Sequence, residues 1–222
     1  MRLPFSEDQF FDVFRLYNEA VWPAQWLFNV LALVVIALAI MGSPRAPRAV
    51  PAILAAFWLW MGAVYHLVFF ADVNRAAYGF GALFMLQGAV FAWLAMRSTP
   101  LVFTRRRDGA AVGGWLLVLY ALIVYPALGL SLGHVYPASP TFGLPCPTTI
   151  FTLGVLLWAR PSLPWGVLAI PLLWTIVGSA AALQLGVWQD IGLAVAALVV
   201  TVLMIDRRWH GASIATMRPQ LH

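Results

Sequence analysis

Apolar residues run along this chain in seven blocks, at roughly 20–41, 51–72, 77–96, 112–133, 146–159, 164–185 and 188–205. Short stretches rich in arginine, proline and glycine separate them. A helix rises 1.5 Å per residue, so the ~30 Å hydrocarbon core of a bilayer takes about 20 apolar residues to cross. Six blocks approach that length. The fifth does not, because Arg160 and Pro161 stop it soon after Pro147. Ahead of the blocks, residues 5–19 follow another pattern. Phe10, Val13, Phe14 and Tyr17 make an apolar stripe, while Asp8, Asp12, Arg15 and Glu19 face away from it. Ser6 with Gln9 spells a capping box, Phe5 is placed to staple onto Phe10, and Glu7 and Asp8 suit the positive end of a helix dipole. This predicts a helix lying on a membrane surface, as an anchor or as a lid.

The stretch 134–152 carries four prolines, His134 and the one cysteine, Cys146, ahead of the truncated block. A helix that starts late starts inside the membrane, so the loop before it dips inward to meet it. Non-helical backbone at that depth needs protein or a water-filled cavity to satisfy its amides. The spacing therefore predicts a re-entrant loop beside a cavity.

Composition adds fold class and orientation. With 63% hydrophobic residues, 9% charged and a mean hydropathy of +0.87, residues 1–222 read as one all-α membrane domain. It comprises a surface helix over 5–19, a seven-helix bundle over 20–205 and a cytoplasmic tail over 206–222. The start is not that of a cleavable signal, since Glu7 and Asp8 stand where a basic region belongs. All thirteen basic residues are arginines. Arg45, Arg48, Arg97, Arg105, Arg106, Arg107, Arg160, Arg207, Arg208 and Arg218 follow odd-numbered blocks, against Arg2, Arg15 and Arg75 on the other side. Positive loops stay in the cytoplasm, which puts the N-terminus outside and the C-terminus inside an inner membrane. The net charge of +5 thus reports topology rather than nucleic-acid binding. The expected partner is the lipid bilayer.

Orientation assigns depths. Asn18, Trp22, Gln25 and Asn29 share one face in the outer half of the first span. Tyr65, His66 and Asp72 fall in the outer third of the second, Tyr125 and His134 close the fourth, and Thr148, Thr149 and Thr152 head the fifth. Thr175, Ser179 and Gln184 lie towards the outer end of the sixth, and Asp190 opens the seventh. The inner halves offer only Tyr120 and Thr201. Unpaired polar groups in lipid cost several kcal/mol, so they gather where water or one another can satisfy them. The profile predicts an outward polar cup above a dry floor. Interhelical hydrogen bonding is the plainer account of Gln87, Thr175 and Ser179 taken singly.

The candidate ligand residues are Gln25, Asn29, Tyr65, His66, Asp72, His134, Cys146, Thr148 and Thr149. The helix start at Pro147-Thr148-Thr149 favours an anionic or hydroxyl-bearing group. His66, His134 and Cys146, with Asp72 or Asp190, have the ligand types for zinc or copper, although no HxxxH, HExxH or CxxC spacing supports a metal. Cys146 is either a packed thiol or one activated by the helix start, and a single cysteine excludes an internal disulfide. No GxSxG motif supports a hydrolase. The absence of lysine rules out a retinal Schiff base, and no P-loop or dinucleotide glycine pattern is present, so no nucleotide cofactor is expected.

The opening Leu3-Pro-Phe-Ser-Glu-Asp-Gln-Phe-Phe-Asp-Val-Phe14, then Tyr17-Asn-Glu-Ala-Val-Trp-Pro-Ala-Gln25, with Pro145-Cys-Pro-Thr-Thr-Ile-Phe-Thr152, resembles a bacterial family of multi-spanning membrane proteins without assigned function. The resemblance implies a membrane bundle along the whole chain and supplies no catalytic residues. It departs from the seven-helix sugar carriers, whose proline-glutamine loop pair is missing. The functional expectation is an outward pocket that binds or senses a small ligand or metal ion. A small solute or metal transporter is the alternative, and an enzyme acting at the outer face comes third.

Overall fold

The computed structural model describes residues 4–98, 101–103, 108–160 and 163–216, with side chains as far as Trp209. Arg2, Arg105, Arg106, Arg107, Arg218 and the end of the expected tail lie outside the described residues. Those described form eight helices and one two-residue strand pair.

Helix α1, Glu7–Ala20, carries the capping box: the Ser6 hydroxyl accepts from the Gln9 amide at 3.2 Å and the Gln9 side chain accepts from the Ser6 amide at 2.9 Å. Phe5 and Phe10 stack with ring centroids 5.8 Å apart, so the staple forms as well. After Pro23 the chain turns by 85° into α2, Ala24–Ile40, which begins four residues later than the first apolar block. α1 thus lies across the end of the bundle rather than continuing a span. Its stripe of Phe10, Val13, Phe14 and Tyr17 is buried.

α3 spans Ala46–Asp72, α4 Ala77–Met96, α5 Gly109–Ser131, α6 Pro145–Leu156, α7 Trp165–Leu185 and α8 Ile191–Thr216. Five helices are long and apolar enough to cross a membrane, or six if α1 and α2 count as one bent span. α8 continues to Thr216, so the segment expected as a tail from 206 begins as helix. Two of the long helices change winding. α3 becomes π-helical over Met61–Phe69 and α5 over Tyr120–Val124. In α5 the cause is legible: Pro126 lacks an N–H and its ring crowds the carbonyl one turn back, so the ladder slips just ahead of it. The helix of α7 runs through Pro171 without ending.

α6 is the short fifth helix, and Pro145 and Pro147–Leu156 are buried by the others around it. Trp58 of α3 stacks on Phe84 of α4 at 4.6 Å, and its indole donates to Thr152 of α6 at 3.1 Å. Phe57 and Phe151 complete this apolar centre. At one end, strand β1 (Val102–Phe103) pairs antiparallel with β2 (Ala159–Arg160). Arg160 and Arg207 reach the Asp108 carboxylate at 3.3 and 3.9 Å, and Arg208 donates to the Leu163 carbonyl at 2.7 Å. These contacts gather the arginine-bearing connections at one end. α1 and the 132–144 loop occupy the other.

Candidate functional site

The loop end is held by Asn18, the last side chain that α1 buries. Its carboxamide donates to the carbonyls of Pro137 and Ser139 at 2.7 and 2.8 Å and accepts from the Thr141 hydroxyl at 2.8 Å. The Gln25 amide nitrogen, one face on from it in α2, donates to the Asn18 backbone carbonyl at 2.8 Å. The loop then enters α6 through Gly143, where φ is +102° and the Phe28 ring packs so close that a side chain has no room. The Gly143 amide donates to the Thr148 hydroxyl at 3.1 Å.

Two cavities open beneath this loop. The first, about 520 Å³, lies between α2, α5 and the loop, and Gln25, Asn29, Tyr125, His134, Thr141 and Gln189 supply its polar lining. Among the described residues, no aspartate, glutamate or arginine lines it. His134 stands with Nδ1 3.0 Å from the Gln189 carboxamide nitrogen, its ring packed on Phe11 at 4.6 Å. Gln25 is buried and its Oε1 has no hydrogen-bond partner. A buried acceptor left open costs ~1–3 kcal/mol, and this one sits behind the cavity wall with essentially no exposure.

The second cavity, about 500 Å³, lies under α1 between α3, α4 and α7. Phe5, Phe10, Phe14, Phe70 and Phe80 make it apolar, and Tyr65, Cys146 and Asp190 supply polar groups. Asp190 sits in the turn before α8 and is only 4% exposed. It accepts a hydrogen bond from the Tyr125 hydroxyl, and the Cys146 thiol stands against the same carboxyl group. Tyr125 faces the first cavity and Asp190 the second, so this pair forms the wall between them.

The structure distributes the nine candidate residues over five places. Gln25, Asn29 and His134 line the first cavity, Tyr65 and Cys146 the second. His66 is fully buried, ringed by Phe80, Phe84 and Trp174, and both of its nitrogens lack a partner. The π winding of α3 turns these consecutive residues, Tyr65 and His66, inward together. Asp72 is a correction: it ends α3 exposed and lines neither cavity. Thr148 and Thr149 are a second, since they are enclosed within the packing of α6. The anion cradle expected there also loses two amide donors to Pro145 and Pro147.

The metal set is a third. His134 partners Gln189, His66 sits among rings and Cys146 meets Asp190. No group of three or more His, Cys, Asp or Glu among the described residues is placed to hold a metal ion. Nor does the thiol meet a histidine among the described residues. Sequence reasoning missed Gln189 and the Tyr125–Asp190 pairing, for which the chain offers no local signal. It also placed Tyr120 in the dry half, whereas its hydroxyl donates to the Gln189 carbonyl at 2.7 Å.

A family model described as "Family of unknown function (DUF6064)" matches residues 7–213, and the chain belongs to that family. The match spans all three stretches that carry the resemblance, from Glu7 onward. No curated protein and no solved structure matches the chain.

Proposed function

We propose that this family member is a bacterial inner-membrane protein of seven crossings, N-terminus outside and C-terminus cytoplasmic, whose outward cavity binds a small neutral ligand for sensing or storage. Support for the membrane comes from helices that are apolar all round. In α8, Leu193, Ala196 and Val200 are buried while Val195, Leu198 and Val202 are exposed, a pattern that suits lipid and not water. Support for the orientation comes from charge. Among the described residues Arg45, Arg48, Arg97, Arg160, Arg207 and Arg208 follow odd-numbered blocks, against Arg15 and Arg75. Arg97 and Arg208 also lie over the rings of Trp93 and Trp165 at 4.7 and 5.0 Å, pairings suited to a headgroup layer. A reporter active only in the cytoplasm is expected to work when fused after His222 and to stay silent when placed after Asn74. The reverse pattern overturns the orientation.

The observation that carries the ligand reading is a cavity lined by amide, imidazole and hydroxyl groups with no aspartate, glutamate or arginine among the described residues. Such a wall suits a polyol, an amide or another neutral hydrogen-bonding molecule, and its volume lies within the ~300–1,000 Å³ common for small-ligand pockets. Transport is the weaker reading. Below the cavities, Phe57, Trp58, Ile150, Phe151 and Leu153 are packed with essentially no exposure, and a solute path needs polar groups there.

Thermal unfolding of the purified protein against a panel of neutral polyols, sugars and amides tests this. A ligand at about 100 times its Kd stabilises by ~2.7 kcal/mol, or ~5–10 °C for a domain of this size. At least one member of the panel is expected to raise the midpoint in the wild type and not in Gln25→Leu. A flat response throughout sinks the proposal.

A further inference from the structure

We propose that the ligand of the first cavity is a ring sugar, a pyranose or pyranoside laid against Trp22 and Trp26. The proposal rests on the reading of that cavity as a small-ligand site and deepens it.

The rim of the cavity is aromatic. Trp22 comes from the turn ahead of α2, Trp26 from its first turn and Tyr136 from the 132–144 loop, and all three line the space. The two tryptophans are 57% and 65% exposed, so the bundle leaves most of each ring uncovered. Trp22 and Tyr136 meet edge to face, with centroids 6.3 Å apart and planes at 61°, and so form a corner rather than a flat wall. A tryptophan that only anchors a protein in the headgroup layer needs no cavity beside it. Trp188 is such a case: it is 52% exposed at the same end and lines neither cavity.

Polar groups stand beside these rings. Gln25 and Asn29 flank Trp26 along α2. Asn29 is half-buried and donates its amide to the Gln25 carbonyl at 2.8 Å, which leaves its carboxamide oxygen as an acceptor. His134 meets Gln189 through Nδ1, which leaves Nε2. The Ser139 hydroxyl, also in the lining, has no hydrogen-bond partner among the described residues. The cavity therefore combines uncovered ring faces with open donors and acceptors.

That combination narrows the neutral ligands. The face of an aromatic ring carries partial negative charge and attracts hydrogens that neighbouring oxygens have made positive. A pyranose chair presents a flat patch of axial C–H groups on its face. At its edge it carries hydroxyls, each of which donates and accepts. An open-chain polyol has the hydroxyls without the flat patch, and a small amide covers little of an indole. A quaternary ammonium takes the rings but answers none of the amide, imidazole and hydroxyl groups.

The test uses the full chain in nanodiscs free of choline lipids and of sugar detergents. Thermal midpoints are titrated with four probes: methyl β-glucopyranoside, sorbitol, acetamide and choline. The glucoside is expected to bind about tenfold more tightly than each of the others, the upper end of what a ring contact adds. Trp22→Leu and Trp26→Leu are each expected to weaken it about threefold to tenfold, while Trp188→Leu leaves it unchanged. Sorbitol, acetamide or choline binding as tightly as the glucoside overturns the sugar and leaves the cavity standing as a ligand site. No loss in either Trp22→Leu or Trp26→Leu, or an equal loss in Trp188→Leu, overturns the aromatic platform and the inference with it. A flat response to every probe overturns both the sugar and the small-ligand reading. The comparison of probes on the wild type decides the ligand class even if no variant folds.

Discussion

Gly114→Val is expected to lower the stability of the bundle by about 3 kcal/mol, the upper end of what overpacking costs. α5 and α6 cross where two glycines face each other. A Cβ built on Gly114 lies 2.7 Å from the Gly154 carbonyl oxygen and against the Trp158 indole, and one built on Gly154 lies 2.9 Å from the Gly114 carbonyl. The nearest obstacle is the Trp158 indole, and the facing carbonyls beside it are backbone atoms, which no rotamer change moves. Small residues at helix crossings let backbones approach closely where burial alone does not drive helices together. Relief therefore requires α6 to shift as a body. It has nowhere to go, because Ile150, Phe151, Leu153 and Val155 are enclosed on every side. The measurement is a thermal midpoint in detergent, expected to fall by ~6–12 °C for a chain of this length. Gly79→Ala is the control: it is helical and a Cβ there meets nothing within 4 Å, so it should be neutral or slightly stabilising. Equal losses at 79 and 114 would show that helix propensity, and not the crossing, sets the cost.

The same packing explains what was legible in the sequence. Elements fixed by local chemistry stand where the pattern puts them. Ser6, Gln9 and Phe5 start α1 because a cap needs only neighbours, and Ala77–Met96 coincides with its apolar block. The short fifth helix follows from Pro145 ahead of it and Arg160 beyond it. The winding of α3 was not legible, whereas Pro126 marks the slip in α5. A helix that is apolar all round carries no phase, so nothing in the sequence marks where the ladder slips and Tyr65 and His66 both turn inward. Asp72 and Asp190 teach the same lesson about charge. Each lies in a short 3-10 turn at the end of a span, yet Asp72 faces out and Asp190 is folded under against Tyr125. What separates them is a hydroxyl 65 residues away, and no local window contains it.

Asn18→Ala is expected to cost about 3 kcal/mol and to loosen the 134–143 loop before the bundle melts. Four hydrogen bonds end on that carboxamide: two donated to the Pro137 and Ser139 carbonyls, one accepted from Thr141, and a longer one of 3.3 Å accepted from Gln25. Each contributes ~0.5–1.5 kcal/mol, and the buried partners left behind lose more than the bond itself. The bonds from Gln25 and Tyr136 to the Asn18 backbone carbonyl survive the substitution, so α1 stays docked while the loop keeps only the 3.4 Å tie from Tyr136. Asn18→Asp is expected to be as damaging as alanine, because a carboxylate has no hydrogen to give the two loop carbonyls. Hydrogen exchange reads the result directly. Amides in 134–143 should lose protection in both variants while those of α6 below Thr148 keep theirs. His134 rides on this loop and closes one wall of the first cavity, so the same variants should weaken the ligand's thermal shift. Exchange that speeds up evenly through α6 and the loop would mean that Asn18 supports the whole outer end, and the loop would then be no separate latch.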